Sequence, residues 1–435
     1  MRRRVTFGCM FSVLALGGFS GTAHSADSQI ITKRGTLEVF HSDNFATGEA
    51  TYDLRLRNRL GVTKLETSEE PTGFSAGPEQ YGGRRLQIRG TKLDGKLVIG
   101  EGSVTVLSGK RQLASSSVAQ VRRTAVLLVN FRNNTSQPWS AAEVRDTVFA
   151  SSDSVAAYYL EQSYGKMTYG GDVFGWYTIG ENDTPCNQGV WAASARAKAQ
   201  AAGVNLGSYD QVVYIFTRAA ACQWNGYATV PGSEAWLNGT INRQTIAHEL
   251  GHNLGSAHAS SALCQETGRW VTMGGLCTVG EYGDPFDPMG NGLRHMSAAR
   301  KAAMGWLPAA NVAVASSSGV YTIAAQESLA AGPRLLYVPY GRGGYSLCIE
   351  YRMPFPQFDA FSPADPVVNG VTIRVCPPGG GPSFLLDADT ASLGLLDSSL
   401  KPGHTFVIGW LGISVSTTSA GGSTASVQVS RPTGG

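Results

Sequence analysis

Charged residues and long apolar runs are scarce in this chain of 435 residues. Only 15% of the residues are charged, against about 25% in a typical soluble domain, while 42% are hydrophobic. This composition excludes an intrinsically disordered chain, which combines low hydrophobicity with high net charge. After residue 26 no stretch reaches the roughly 20 apolar residues of a membrane span, and no dense basic stripe is present. We therefore expect neither a membrane span nor a nucleic-acid partner.

The first 26 residues have the pattern of a secretory signal peptide. They begin with three arginines, continue with an apolar stretch from Val5 to Phe19, and end in small residues at 22–26. We expect cleavage after Ala26. The protein is therefore predicted to be secreted, to the extracellular space or to a periplasm.

Cysteine is absent between residues 27 and 185, and the mature chain contains an even number of cysteines. They are Cys186, Cys222, Cys264, Cys277, Cys348 and Cys376. Six cysteines in an exported protein indicate three disulfides, and sequence alone leaves their pairing open. We favour nearest-neighbour pairs, which would close short loops. No CxxC is present, so a zinc site built from thiolates is disfavoured.

Glycine is abundant, with 54 residues, and turn residues divide the chain into short elements. Residues 27–123 alternate polar and apolar residues, which predicts a β-rich unit. Residues 124–307 alternate strand and helix patterns and indicate an α/β unit. Residues 308–435 return to short strands, as in an antiparallel β-sandwich. The predicted fold class is therefore an α+β multidomain protein.

Residues 248–258 form the most specific motif of the chain. They read HELGHNLGSAH, which fits the pattern HExxHxxGxxH. On a helix, His248 and His252 lie one turn apart on one face, where both can bind one metal ion. Gly255 can take a positive φ and end the helix, so that His258 supplies a third nitrogen. Three neutral histidines with an open fourth position describe a catalytic zinc site.

Glu249 directly follows the first histidine of the motif. From this position we expect it to stay outside the ligand set and to act as general base on a zinc-bound water. Downstream, residues 282–290 read YGDPFDPMG, and Met289 is expected to pack its thioether beneath the histidines. The alternatives are a helix with surface histidines and an ordinary core methionine.

HELGHNLGSAH, YGDPFDPMG and the stretch RHMSAARKAAMGWL together resemble the metzincin zinc metallopeptidases, closest to the gametolysin-like branch. The resemblance covers about residues 124–307. It implies a metzincin-type α/β catalytic domain with one catalytic Zn²⁺. It also implies a protein or peptide substrate extended against an edge strand around residues 228–238.

The sequence also departs from related branches. Ala259 stands where the adamalysin-like branch has an acid. No tyrosine follows Met289 closely, so we do not expect a fifth, tyrosine ligand as in astacin-like enzymes. No residue is assigned to the oxyanion.

The β-rich unit 27–123 is expected to be a propeptide, cut near Arg122–Arg123. Its net charge of +4, against −4 for the remainder, weakly favours docking. The absence of cysteine from this unit excludes latency through a thiolate on the zinc. His41 and Asp43 could cap the zinc instead, but we favour their interpretation as turn residues, because His-Ser-Asp-Asn is a loop composition.

Two functions are weighed for the whole chain. The first is a secreted zinc-dependent endopeptidase that hydrolyses peptide bonds of extracellular proteins. The alternative is a surface or matrix binding protein, with glycan contact through residues 308–435 and a non-catalytic zinc site. The intact Glu249 weighs against the alternative, because a binding module has no need of it. Calcium is considered at Asp387 and Asp389, but the run of ligands that would support it is missing.

Overall fold

The computed structural model describes residues 3–5, 29–67, 77–100, 103–108, 120–266, 269–274, 276–341, 343–378, 381–392 and 394–432. Of the predicted signal peptide only β1 (Arg3–Val5) falls within these ranges. The expected cleavage after Ala26 lies outside them and stays a prediction. Among the described helices, none has both the length and the apolar character needed to cross a membrane.

The N-terminal unit consists of strands, as its alternating pattern predicts. These are β2 (Gln29–Asn44), β3 (Glu49–Asn58), β4 (Gly61–Thr67), β5 (Arg85–Leu93), β6 (Lys96–Ile99) and β7 (Val104–Ser108). Within β2, Leu37 and Val39 are buried, whereas Glu38 between them is only partly buried. The strand pairs antiparallel with both β3 and β5.

The next segment supplies the rest of one large main sheet. Its strands are β8 (Gln120–Asn130), β9 (Met167–Thr178), β10 (Gln211–Phe216), β11 (Gly226–Thr229) and β12 (Glu234–Asn238). The main sheet runs β7-β5-β6-β4-β3-β2-β11-β12-β10-β8-β9. Strands β9, β8, β10 and β12 are parallel to one another, and β11 is antiparallel to β12.

Helices cover both faces of the parallel strands. They are α1 (Ala141–Arg145), α2 (Val155–Gln162), α3 (Gln188–Ala201) and α4 (Arg243–Asn253). One core contains residues of α2 and α4, and the opposite core contains residues of α3. Because both faces are covered, residues 124–130 of β8 are buried without alternation. The capping box that begins α1 joins Ser140 and Glu143.

The remaining elements form two further sheets and one helix. They are β13 (Ala259–Glu266), β14 (Arg269–Val271), β15 (Leu276–Gly280), α5 (Ala298–Ala303), β16 (Val312–Val314), β17 (Gly319–Ala324), β18 (Leu335–Pro339), β19 (Ser346–Tyr351), β20 (Val371–Cys376), β21 (Ser383–Leu386), β22 (Thr405–Ile408), β23 (Ile413–Gly421) and β24 (Thr424–Ser430). A mixed sheet runs β1-β15-β13-β21-β20-β19-β18-β16, with β14 beside β13. A small sheet runs β17-β24-β23-β22.

The mixed sheet and the small sheet share one hydrophobic core, which is consistent with the expected sandwich. The sandwich differs from the expectation in two respects. Two strand pairs, β13–β21 and β16–β18, are parallel rather than antiparallel. The sheet also extends across the boundary predicted at residue 308, because β13 pairs with β21 through residues 259–262 and 383–386.

The six cysteines are joined in three pairs, Cys186–Cys222, Cys264–Cys277 and Cys348–Cys376. This is the nearest-neighbour pairing that we favoured. The second pair links β13 to β15, and the third links β19 to β20. Disulfides of this number are typical of extracellular or secreted proteins.

Candidate metal centre

Helix α4, which packs in the hydrophobic core, carries the first part of the motif. It begins at Asn242, whose side chain accepts a hydrogen bond from the Thr245 backbone N–H at 3.2 Å. His248, Glu249 and His252 lie on α4, and all three are fully buried. Tertiary packing rather than solvent contact therefore decides the orientation of these side chains.

Gly255 ends this helix as the sequence predicts. Its φ is 86°, in the left-handed region that glycine adopts at no steric cost. Its N–H donates to the His252 carbonyl oxygen at 2.7 Å. The chain then turns back and reaches His258 immediately before β13. The turn brings the third imidazole to the other two.

The three imidazoles converge through their Nε2 atoms. The Nδ1 of His248 lies 2.8 Å from the Pro288 carbonyl oxygen, and that of His252 lies 2.8 Å from the Ser256 carbonyl oxygen. The Nδ1 of His258 lies 2.5 Å from Glu281 Oε1. Because each Nδ1 faces an acceptor, we assign the ring proton to Nδ1. Each Nε2 is then left with a lone pair.

This donor set fits zinc. The Nε2 atoms of His248 and His258 are 3.3 Å apart. Two lone pairs at this distance repel each other unless a cation lies between them. Tetrahedral zinc with Zn–N bonds of about 2.0–2.1 Å requires ligand nitrogens roughly 3.3–3.4 Å apart. Burial also lowers the pKa of His248 and, further, that of His252, so both are neutral at pH 7, the form that binds metal.

Glu249 lies beside the imidazoles in a space left by a glycine. A Cβ atom at Gly226 of β11 would lie only 1.9 Å from Glu249 Oε1. The carboxyl of Glu249, the ring of His248 and the carboxyl of Asp43 each contribute one atom to a group whose members lie within 4.8 Å of one another. Burial, and then the neighbouring Asp43, raise the pKa of Glu249 well above its ordinary value. A raised pKa suits a carboxylate that takes and returns a proton near neutral pH.

Asp43 of β2 faces all three imidazoles. Its Oδ1 lies 2.8 Å from His258 Nε2 and 3.5 Å from His248 Nε2, and its Oδ2 lies 3.4 Å from His252 Nε2. Burial would raise the pKa of Asp43, but the surrounding histidines, with His41 first among them, hold it well below its ordinary value.

The interpretation of His41 and Asp43 as turn residues is wrong. Both lie inside β2, where His41 is opposite Ala228 and Asp43 is opposite Gly226. The His41 ring lies 4.6 Å from that of His252, measured between centroids. Residues two apart on a strand share a face, and this spacing is the signal that could have identified the pair.

The edge strand predicted around residues 228–238 is in fact two strands. Strand β12 lies inside the main sheet between β10 and β11, so it offers no free edge. Strand β11 is the one beside the imidazoles, and β2 pairs antiparallel with it. The N-terminal unit therefore already occupies the edge at which an extended substrate was expected.

Met289 lies beneath the helix turn that carries the histidines. It is fully buried, and a Cβ atom at Gly251 of α4 would lie 2.4 Å from its sulfur. Its N–H donates to Asp287 Oδ1 at 3.0 Å, and its carbonyl oxygen accepts from the Ala259 N–H at 2.9 Å. These bonds fix the segment that ends at the methionine.

Sequence reasoning missed the contributions of Glu281 and Tyr282. Glu281 faces His258, as described above. The Tyr282 hydroxyl donates to Asp43 Oδ1 at 2.8 Å, and its ring lies 4.4 Å from that of His258. Burial, together with Asp43, raises the pKa of Tyr282, so the hydroxyl stays protonated and can donate. Glu281 directly precedes the stretch YGDPFDPMG and Tyr282 begins it, so their closeness to Met289 in the sequence was the available signal.

The calcium candidates Asp387 and Asp389, and the buried His295, lie apart from the imidazoles. Asp387 accepts from the Asp389 N–H at 3.0 Å within a turn, and Asp389 pairs with Lys401 at 2.9 Å. His295 lies 2.8 Å from Glu161 Oε1 and belongs to a separate buried group.

Three converging imidazoles with a buried carboxyl beside them are typical of a metal-dependent hydrolase. Residues 123–332 match the family model described as gametolysin peptidase M11. This match confirms the predicted resemblance to the gametolysin-like branch and supports a metallopeptidase. The matched segment contains the three histidines and Glu249, whereas Asp43 lies outside it.

Other comparisons add little. No curated protein matches the chain significantly. One solved structure, titled "Structure of a chaperone-substrate complex", is similar over 50% of this chain, with 13% identity and a TM-score of 0.20. The chain spans about a third of that structure's length (34%). A similarity this weak carries no argument about the fold.

Proposed function

We propose that the protein is a secreted zinc endopeptidase of the metzincin type. The observation that carries the proposal is the convergence of three Nε2 lone pairs, two of them 3.3 Å apart as zinc requires, with Glu249 buried beside them. His248, His252 and His258 would hold the ion. The three disulfides favour an extracellular place of action.

The residues of the chain divide the work of peptide hydrolysis. When bound, Zn²⁺ supplies Lewis acidity and lowers the pKa of a water molecule towards about 7. Glu249 accepts the proton of the attacking water and returns it to the leaving nitrogen. The backbone of β11 hydrogen-bonds the extended substrate. Gly226 of this strand has no side chain and so leaves room for the Glu249 carboxyl.

The N-terminal unit would keep this enzyme latent. Strand β2 covers the β11 edge through residues 40–43, and the Asp43 carboxylate lies where a fourth ligand would bind. A substrate cannot pair with β11 until β2 leaves. Activation therefore requires cleavage of the N-terminal unit or its displacement.

The expected cut near Arg122–Arg123 first requires a local change of structure. Both arginines lie within β8, paired with Tyr169 and Gly170 of β9. The Arg123 N–H also donates to Asp210 Oδ2 at 2.7 Å. Because proteases bind extended, unpaired chain, residues 120–123 would have to separate from β9 before a cut at this place.

Casein cleavage tests the proposed activity. After limited trypsin treatment, the secreted full-length protein should degrade casein, lose the activity with a zinc chelator and regain it when zinc is added back. Activity that survives complete removal of the metal would contradict the proposal.

Cleavage state tests the proposed latency. The uncut full-length protein should be nearly inactive, and mass spectrometry of the active form should find a new N-terminus beyond Asp43. The variant Asp43→Ala should raise the basal activity of the uncut chain, because β2 loses its contacts with the imidazoles and separates from β11 more readily. Full activity with residues 29–67 still attached would rule out this form of latency.

A further inference from the structure

Both hydrogen-bond partners of the Tyr282 hydroxyl come from the N-terminal unit. It donates to Asp43 Oδ1 at 2.8 Å, and the Glu49 carbonyl oxygen lies 3.3 Å away. The residue is 4% exposed. When the N-terminal unit leaves, the hydroxyl loses both partners and still faces the metal centre. Opened in this way, the hydroxyl is free to donate to a ligand that enters the centre later.

The Asp43 carboxylate marks where that ligand places its oxygens. It has two oxygens on one carbon, as does the carbonyl group once water has added to it. Its Oδ1 contacts both the Tyr282 hydroxyl and His258 Nε2, and its Oδ2 lies 3.4 Å from His252 Nε2. Glu249 adjoins the same carboxylate. The carboxylate thus lies against one hydrogen-bond donor, Tyr282, and one proton-accepting group, Glu249.

Tyr282 is held rigidly in this place. Its ring lies 4.4 Å from that of His258, and the Gly283 N–H donates to the Gly280 carbonyl oxygen at 3.1 Å across the turn. Its φ is 55°, an unfavourable conformation for a residue with a bulky side chain. Such strained conformations cluster at functional sites.

We propose that Tyr282 is a catalytic residue that donates a hydrogen bond to the scissile carbonyl oxygen as it becomes an oxyanion. This proposal rests on the endopeptidase function proposed above. The water oxygen bonds to the carbonyl carbon, and the π pair moves onto the carbonyl oxygen, which faces the Tyr282 hydroxyl. Glu249 takes the water proton and passes it to the nitrogen as the C–N bond breaks. Tyr282 keeps its own proton throughout.

The variant Tyr282→Phe removes the hydroxyl and retains the ring against His258. With the trypsin-activated protein and a quenched-fluorescent peptide, kcat should fall by about 10²–10³-fold, as when one oxyanion donor is removed. KM and the zinc content should change little. Binding of a phosphinic pseudopeptide, in which –PO₂⁻–CH₂– replaces the scissile amide, should weaken by a similar factor in calorimetry, because its oxygens occupy the oxyanion position.

Tyr351→Phe is the matched control. It removes a buried tyrosine hydroxyl that donates to the Val368 carbonyl oxygen at 3.0 Å in the mixed sheet. It should leave kcat and inhibitor binding unchanged. A Tyr282→Phe enzyme with kcat within threefold of the wild type would overturn the proposal. So would loss of zinc in step with activity, which would give Tyr282 a structural role. A wild-type protein that cleaves no peptide would instead contradict the endopeptidase function itself.

Discussion

The acceptors opposite the Nδ1 atoms fix the tautomers of the three histidines and so direct their lone pairs to one point. Two of these acceptors, at Pro288 and Ser256, are backbone carbonyl oxygens and cannot be removed by substitution. The third is the Glu281 carboxylate. Burial would lower the pKa of His258, but in the metal-free protein Asp43 and Glu281, which face its two nitrogens, raise it to about 9, so that zinc has to displace a proton from its Nε2 at pH 7. Glu281 is therefore the acceptor through which the site can be tested.

Replacing Glu281 by alanine should weaken zinc binding about 10–100-fold, because it removes the group that orients His258. The dissociation constant is measured by competition with a chromophoric chelator. Glu266→Ala, at an exposed position of β13, is the control and should bind zinc like the wild type. An unchanged affinity in the Glu281 variant would show that His258 is oriented by other contacts.

At this scale the sequence predicted the motif residues because HExxHxxGxxH combines helix spacing with a glycine stop. It could not predict the role of Asp43 or Gly226. Neither residue belongs to a local pattern, and each acquires its role from a pairing between strands far apart in the chain. The Asp43–Gly226 register connects these two residues across more than 180 positions of sequence.

Among the elements, β11 has a strict steric requirement beside the metal centre. It pairs with β12 on one side and with β2 on the other, and it packs against α4 at Gly226. Its backbone must approach the Glu249 carboxyl more closely than any side chain permits.

The variant Gly226→Ala should displace the Glu249 carboxyl and lower kcat by at least about 10²-fold, since general-base catalysis contributes about that much. Zinc content should not change, because the three histidines are untouched. Kinetics and metal analysis on the activated protein test this. The control is Gly189→Ala, a helix position in α3 where a Cβ atom meets open space. Equal kcat in the Gly226 variant and the wild type would place Glu249 outside the reaction.

Helices and strands followed from local signals wherever those signals were strong. The capping box of Ser140 and Glu143 begins α1, and the apolar run after Arg123 forms β8. The resemblance implied a single edge strand around residues 228–238, whereas this stretch contains the two strands β11 and β12 with Pro231 and Gly232 in the turn between them. Strand pairing between distant segments leaves no periodicity to read.

For the whole molecule, buried charges connect the motif-bearing segment to the C-terminal strands. Glu350 of β19 accepts from Arg374 at 2.8 Å, from Arg352 at 3.0 Å, and from the Ala298 N–H at 2.6 Å. Arg374 also pairs with Asp284, near Met289, at 2.6 Å. The strands after residue 308 thus support the segment beneath the histidines, and they share a sheet with β13 and β15.

This network should make stability depend on pH. Burial would raise the pKa of Glu350, but Arg374, Arg352 and the Ala298 N–H lower it from 4.5 to about 2. A lowered pKa stabilises the folded state above pH 4.5, and this stabilisation is lost as the pH falls from 4.5 towards 2. Its size is about 3 kcal/mol. Glu350→Gln should therefore lower stability at pH 7 by about that amount and flatten the pH dependence in this range.

Thermal unfolding between pH 7 and pH 2 measures this effect. Glu66→Gln is the control, because its ion pair with Lys96 is largely exposed and such pairs are worth little. Parallel pH profiles for the Glu350 variant and the wild type would contradict the role given to the network.

The sequence predicted three units from changes of pattern, and the structure contains strand-rich, mixed and strand-rich segments in that order. It did not predict that β2 joins the main sheet or that β13 to β15 join the mixed sheet. Composition and periodicity identify strands, but the choice of partner depends on packing between distant segments. The docking of the N-terminal unit on the metal centre depends on one of these long-range pairings.

Metal content and cleavage by the variant Glu249→Ala test the central claim most directly. The trypsin-activated full-length proteins are compared by elemental analysis and by cleavage of a quenched-fluorescent peptide. The wild type should contain one zinc per chain and cleave the peptide, and Glu249→Ala should keep its zinc and lose at least about 10²-fold in kcat. Cleavage by Glu249→Ala at the wild-type rate, or a wild-type protein that binds no zinc, would contradict the account.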